Sequence, residues 1–496
     1  MTISKFSNRI ASTKLNTPYQ DRPARKPGDK FFRVPRVSEV RVSVPGPVPK
    51  PKVNKFSPML LVYGFAIVIA VGTLLLALPI SSKTGQFTSP IDAFFTSTSA
   101  VCVTGLVVVD TGTYWNFFGQ FIILILIQIG GFGFMTSTTL FLLVLVRKIG
   151  LRERLLIGES MGITRLGGLV NLVKKMAIFT IVAEVIGAIL FYIQFSTDYS
   201  TGSAIWKSIF QSVSAFNNAG FDIFGNHIIG TFVSMTNYSG DVWVLLVTAV
   251  LIILGGISFL AFADIIKIRN LSRISLDTKL VVYTTVALLA LGMVVILLTE
   301  YNDPDTLGIM SIPEKLLNSF FQSVTARTAG FNTIDMANVA DYALFFTMIL
   351  MFIGGASGST AGGIKVNTFG MVIATMWSSI RGREHVGAFG REFTTQQIYR
   401  ALTIIMLSLG LIAVIVFLLT ITEDFRFLNL LFETVSAFGT VGLTTGITPS
   451  LSIAGRLIIA LTMFMGRLGP LALALYLLQR QRPTTYRYPQ EVIRIG

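Results

Sequence analysis

Among 496 residues there is one cysteine (Cys102), there are two histidines (His227 and His385), and only 13% of the chain is charged. A single cysteine excludes an internal disulfide framework and any zinc or iron–sulfur centre built from several thiolates. Two histidines leave little for a His-rich metal site. No catalytic constellation is visible, so the chain reads as no enzyme. Length alone would suggest about three soluble domains. The composition overrides that reading: 52% of residues are hydrophobic and mean hydropathy is +0.70, whereas soluble domains carry roughly 25% charge. This is the composition of a membrane protein.

A helix needs about 20 mostly apolar residues to cross roughly 30 Å of hydrocarbon. Eight stretches qualify or nearly do: 59–80, 117–146, 176–195, 242–266, 280–298, 342–377, 401–421 and 457–478. The sixth is interrupted by Gly-Gly-Ala-Ser-Gly-Ser-Thr-Ala-Gly-Gly over Gly354–Gly363. Irregular backbone of that kind is tolerated at membrane depth where it lines a cavity. A phosphate loop is excluded, because Ile364 stands where the lysine is required. Residues 1–56 and the connections near 147–175, 267–279, 381–400 and 480–496 hold 32 of the 40 Lys and Arg. The positive-inside rule therefore puts both termini in the cytoplasm, as an even number of spans requires. The net charge of +15 is a topology signal and calls for no nucleic-acid partner. Residues 1–56, with 13 Lys/Arg and 8 of the 17 prolines, read as a disordered cytoplasmic tail beside anionic membrane lipid.

One unit recurs four times. Phe95-Thr-Ser-Thr-Ser-Ala leads to Gly105, Phe210-Gln-Ser-Val-Ser-Ala to Gly220, Phe321-Gln-Ser-Val-Thr-Ala to Gly330, and Phe432-Glu-Thr-Val-Ser-Ala to Gly442. The glycines are 115, 110 and 112 residues apart, and the third unit is one residue shorter between its Phe and its Gly. The short segments 90–101, 204–216, 313–325 and 427–438 cannot span a bilayer but suit re-entrant half-helices. Four such units can surround a pseudo-fourfold axis, each half-helix aiming its partially negative C-terminus at a cation. The following loops can turn backbone carbonyls inward to replace an ion's hydration shell. The expected fold is an all-α membrane protein of four span–pore helix–span repeats, eight transmembrane helices in all, around a pseudo-fourfold cation pore. Its divisions are the tail 1–56 and repeats 57–150, 151–270, 271–385 and 386–496.

These four loops, the Gly354–Gly363 break, the run Phe464-Met-Gly-Arg-Leu-Gly-Pro-Leu and the ending Arg487-Tyr-Pro-Gln-Glu-Val-Ile-Arg-Ile-Gly resemble the Trk/Ktr/HKT superfamily of potassium transporters. The likeness extends over about 57–496 and is strongest to the membrane subunit of bacterial Ktr systems. It implies K⁺ uptake across the plasma membrane through a selectivity filter at Val103, Thr104, Gly105, Asn218, Ala219, Gly220, Thr328, Ala329, Gly330, Thr440, Val441 and Gly442, acting by backbone carbonyls. Glycine at position 105 goes, in that family, with potassium and serine with sodium; a sodium or mixed cation transporter of the same fold is the closest competitor. The resemblance also implies an intramembrane gate at Gly354, Gly355, Gly358, Gly362 and Gly363 contacted by Arg467, with Lys365 snorkelling from the gate region. It implies a homodimer with its contact near Gly496, a separate cytosolic nucleotide-binding ring (KtrA-like), and Na⁺ dependence without a sodium site visible in the sequence.

Three further side chains are expected to be structural. Arg327 should turn away from the cation path to an acidic neighbour, Glu184 should join helices, and Cys102 should pack as a small apolar group while offering a labelling handle. A coupled secondary transporter would show inverted repeats, whereas these are parallel. An anion pore would want rings of Arg or Lys, and only one loop has one.

Overall fold

The computed structural model describes residues 59–133, 169–226, 230–267, 274–383 and 385–469, all within the compact unit Phe56–Gly496. The tail 1–56, the loop 147–168 and the contact expected near Gly496 lie outside the described residues. Helices dominate in the order α1 (Met59–Ala77), α2 (Pro90–Cys102), α3 (Phe117–Phe132), α4 (Leu169–Asp198), α5 (Thr201–Phe216), α6 (Val242–Gly256), α7 (Phe259–Lys267), α8 (Leu276–Glu300), α9 (Ile312–Thr325), α10 (Asp341–Phe352), α11 (Val366–Ile380), α12 (Thr395–Thr422), α13 (Phe427–Gly439) and α14 (Ile453–Leu468). The fold is not purely helical: Gly387–Ala388 and Arg391–Glu392 pair as a short antiparallel hairpin.

Among the described residues, three helices (within α4, and α8 and α12) are long and apolar enough to cross a membrane, or four if the bent pair α6 and α7 counts as one. That pair corrects the continuous fourth span expected over 242–266. The helix axis turns by 97° between Val242–Gly256 and Phe259–Ile266. Ile257 is extended, and the Ser258 hydroxyl accepts from the Leu260 N–H to restart the helix. Gly255 and Gly256 are poor helix formers and weaken the same place.

The C-terminal halves of the short helices α2, α5, α9 and α13 are mostly buried. In each of the first three units, a serine of the Phe-x-[Ser/Thr] pattern donates to a carbonyl of the preceding long helix. These bonds are Ser97 to Ile69 at 2.8 Å, Ser212 to Glu184 at 2.6 Å and Ser323 to Leu289 at 2.9 Å. The facing helix supplies Gly72, Gly187 or Gly292, where any Cβ would collide with that hydroxyl. The fourth unit departs: Thr434 donates back to Leu430 of its own helix at 2.7 Å, and Gly410 on α12 has open space around it. The opposite faces of the long helices expose Ile67, Leu74, Ile178, Val286, Met406, Phe417 and Ile421, the apolar exterior that a lipid-facing helix presents.

The second helices also close in on the short ones. A Cβ on Gly130, Gly255 or Gly466 would run into the carbonyl of Val101, Phe216 or Phe438, the C-terminal end of the short helix in the same unit. Gly255→Ala should therefore lower the thermal stability of the detergent-purified protein by about 1–3 kcal/mol through overpacking. Gly410→Ala, in open space, should leave it unchanged or gain up to about 1 kcal/mol. Equal melting temperatures for the two variants would refute the close approach.

Candidate functional site

Each short helix ends in the same backbone sequence. The residue two before the glycine is left-handed although it carries a side chain: Val103 (φ 57°), Asn218 (58°), Thr328 (73°) and Thr440 (49°). Such a conformation costs of order 1–3 kcal/mol and persists only where the surroundings impose it. The surroundings are N–H groups captured by the helix end. Thr104, Ala219 and Val441 donate to the carbonyls of Ser99, Ser214 and Ser436, five residues back, at 2.9, 2.8 and 2.9 Å. In the third unit, one residue shorter, Ala329 donates to Thr325 only four residues back at 3.0 Å. The Ser99 and Ser436 hydroxyls also accept from the N–H groups of Gly105 and Gly442, both at 3.1 Å.

With the amides turned into the helix ends, the carbonyls are left over. Residues 103–105, 218–220, 328–330 and 440–442 are all buried, and among the described residues no donor meets any of their carbonyl oxygens. Buried backbone carbonyls are ordinarily paired, so a set of twelve together marks a place built for an external partner.

The four loops also close into a ring. A Cβ on Gly105 would stand 2.5 Å from the Ala219 carbonyl oxygen, and one on Gly220 2.8 Å from that of Ala329. On Gly330 it would run into the Val441 carbonyl, and on Gly442 into that of Thr104, which returns to the first unit. Each glycine has positive φ, from 69° to 95°. Hence glycine is required here twice over, for its conformation and for the approach of the next backbone.

The Gly354–Gly363 segment packs against this ring. Ile353 and Ile364 pair as a parallel bridge, with Gly354 N–H donating to the Ile364 carbonyl at 2.9 Å. Ala356 N–H and Thr360 N–H donate to the carbonyls of Gly256 (2.9 Å) and Gly255 (3.2 Å), fastening the segment to the end of α6. Gly354 lies against the Thr328 side chain, and Gly362 against that of Thr440. Gly358 and Gly363 take φ of 76° and 61°; Gly355 would meet the Gly256 carbonyl through any Cβ. Arg467 donates from its two terminal nitrogens to the carbonyls of Thr360 and Gly130, and Lys365 donates to the Ala361 carbonyl at 2.5 Å. Both cations line a cavity of about 260 Å³ together with Gly358, Ser359, Thr360 and Gly363.

Arg327 is a correction. It finds no acidic neighbour among the described residues; its Nη2 donates to the Gly354 carbonyl at 3.2 Å, and it is 8% exposed. A guanidinium can satisfy itself on backbone carbonyls where no carboxylate is near. Cys102 packs in the core with 0% exposure, so a reagent cannot use it as a handle. Glu184 accepts from Gln128 at 3.3 Å and from Asn217 at 2.9 Å, and Asn217 also donates to Gln128. That network joins α3, α4 and the end of α5 behind the second loop.

Several contributors escaped the sequence reading. A second repeat, Gly130-Gly131, Gly255-Gly256, Gly354-Gly355 and Gly466-Arg467, was available as a signal and marks the end of each second helix. The ion pair between Arg456 and Asp92 at 2.5 Å joins the fourth unit to the first, and no local spacing could have disclosed a contact across so much chain.

The class of protein that carries this arrangement of four closed loops is given by comparison with known proteins. Residues 55–481 match the TrkH family of cation transport proteins, and the chain belongs to that family. It is 43% identical to the Ktr system potassium uptake protein B of Bacillus subtilis, over 88% of this chain and 96% of that one. It is 39% identical to the potassium/sodium uptake protein NtpJ of Enterococcus hirae, over 89% and 98% respectively. The crystal structure of the potassium transporter TrkH from Vibrio parahaemolyticus shares its fold, with a TM-score of 0.65 at 18% identity over 88% of this chain and 87% of that one.

Arg467 ties the break segment at Thr360 to Gly130 at the end of α3, and each of these charged hydrogen bonds is worth about 1.5–3 kcal/mol. Arg467→Gln should therefore speed thiol labelling at Ser359→Cys by roughly tenfold or more, since about 1.4 kcal/mol of freed opening energy is a factor of ten. An unchanged labelling rate would mean that Arg467 does not restrain the segment.

Proposed function

We propose that the protein takes up K⁺ across the plasma membrane through a selectivity filter formed by the twelve carbonyl-bearing residues, with Gly354–Gly363 as an intramembrane gate. The observation that carries this reading is the ring of buried carbonyls that no protein donor meets among the described residues. Such oxygens replace the hydration shell of a cation, and dehydration against them supplies selectivity. The membrane potential drives entry with about 2.3 kcal/mol per charge per 100 mV. The relatives whose names specify potassium uptake support K⁺ as the ion.

The wider architecture belongs to the same proposal: eight spans in four repeats (57–150, 151–270, 271–385 and 386–496) after the tail 1–56, with both termini in the cytoplasm. A homodimer and a cytosolic KtrA-like nucleotide-binding ring are proposed as the working assembly, by likeness to Ktr systems. The exposed hairpin around Arg391 and Glu392 lies in one of the basic connections suited to receive that ring. A second reading, transport of Na⁺ or of both ions, is favoured by one specific finding, the 39% identity to a potassium/sodium uptake protein.

The deciding experiment is uptake in bacteria without their own K⁺ importers, with K⁺ and Na⁺ varied independently. Rescue of growth at low K⁺ is expected, improved by Na⁺; equal uptake of both ions would favour the second reading. In the same cells Gly105→Ser should weaken K⁺/Na⁺ discrimination, and an unaltered ratio would remove Gly105 from the filter. Deleting 358–362 should raise flux at normal membrane abundance, whereas unaltered flux would make the segment a passive break.

A further inference from the structure

The fourth unit differs from the others behind its loop. The position after the pattern's phenylalanine is Thr96, Gln211, Gln322 and Glu433 in the four units. Glu433 is 0% exposed, and among the described residues no Lys or Arg lies at ion-pair distance from it. Its Oε1 accepts from the Thr444 hydroxyl, and Thr448 Oγ1 lies 2.9 Å away from both that oxygen and Thr444 Oγ1. The Thr448 backbone N–H also faces the carboxylate, while Oε2 is buried without a well-aligned donor. By contrast, Gln211 Nε2 reaches only the Met235 sulfur at 3.4 Å, while Gln322 Nε2 and the Thr96 hydroxyl are buried without partners.

Glu433 and Ser436 are three residues apart and so share a face of α13. Ser436 holds the chain entering the ring, through its carbonyl to Val441 N–H and its hydroxyl to Gly442 N–H. Glu433 holds the chain leaving it, through Thr444 and Thr448. The carbonyls of Gly442 and Leu443 are thus suspended between two anchors on one helix face. A buried carboxylate oxygen without donor or counter-ion is costly. On the reading of these loops as a cation filter, Glu433 is tied through Thr444 and Thr448 to the loop that carries the Thr440–Gly442 carbonyls, so a cation held there is the charge the proposal assigns to it.

We propose that Glu433 is a positioning and affinity-setting residue of the filter. It clamps the outgoing limb of the fourth loop, and its carboxylate serves as a fixed counter-charge for a cation held by the neighbouring carbonyls. This makes the ring functionally asymmetric: three units contribute oxygens, and the fourth contributes oxygens backed by a charge. The inference rests on the function proposed above, and its test separates the two.

The variant is Glu433→Gln in the full-length protein, assayed by K⁺ uptake in cells lacking other importers. Glutamine already occupies this position in the second and third units, so the architecture accepts it. Loss of a charge close to a partly desolvated ion should raise the half-saturating K⁺ concentration about tenfold. Maximal rate and membrane abundance should be retained, and Glu433→Asp should restore part of the affinity. Thr448→Val, which keeps the carboxylate but removes one anchor, should raise KM by a smaller factor. A wild-type protein that moves no K⁺ would sink the proposed function itself. A transporting wild type whose KM is unchanged in Glu433→Gln, or changed only in maximal rate and abundance, would sink the role of Glu433 alone. Should Glu433→Gln fail to accumulate, Thr448→Val decides: an unchanged KM overturns the clamp.

Discussion

Four backbone segments meet in this protein at distances that only glycine permits. Because a Cβ at Gly105, Gly220, Gly330 or Gly442 would strike the next loop, the loops must arrive in fixed orientation with their amides already bonded. That requirement explains the helix ends: left-handed Val103, Asn218, Thr328 and Thr440 turn the chain so that the following N–H is captured by the helix. It explains the hydroxyl-rich pattern as well. Ser99 and Ser436 take up the amides of Gly105 and Gly442, and Ser97, Ser212 and Ser323 lock the short helices to long neighbours. The ring carbonyls meet no protein donor among the described residues, and Thr104 Oγ1, Asn218 Oδ1 and Thr440 Oγ1 beside them are buried without partners as well.

The break in the sixth stretch depends on the same ring. Its segment lies against the left-handed residues of the third and fourth units, and cations hold it by carbonyls alone: Arg327 at Gly354, Lys365 at Ala361 and Arg467 at Thr360. Hydrogen bonds from guanidinium to backbone carbonyl satisfy donors without neutralising charge. The result is a positively charged layer directly against a ring of partial negative charge, joined by bonds that can be exchanged one at a time.

The repeats are equivalent in backbone and unequal in side chains. The shorter third unit reaches the same left-handed turn with two bonds to the Thr325 carbonyl, from Ala329 four residues on and from Gly330 five residues on. The fourth unit gives up the serine-to-helix bond and gains Glu433 with its threonine partners. One chain carrying four units can vary each independently, which four identical subunits could not do.

Much was legible from the residues alone. The spacing from phenylalanine to glycine in each unit, as from Phe95 to Gly105, located every short helix to within a few residues, because turn chemistry and helix length are local properties. Apolar length marked the three long helices α4, α8 and α12 that could cross a membrane, and the density of glycine marked the break. Local reading failed where the outcome depends on contact between distant segments. The 97° bend between α6 and α7 sits where Gly255 presses on the Phe216 carbonyl, and Arg327 found a carbonyl of the break where an acid was expected. The amino-acid sequence by itself determined that four glycine loops follow four short helices, since periodicity and residue type suffice for that. Only the tertiary structure decided that the loops close on one another and leave their carbonyls unpaired, because hydrogen-bond accounting at a meeting point requires knowing which segments meet.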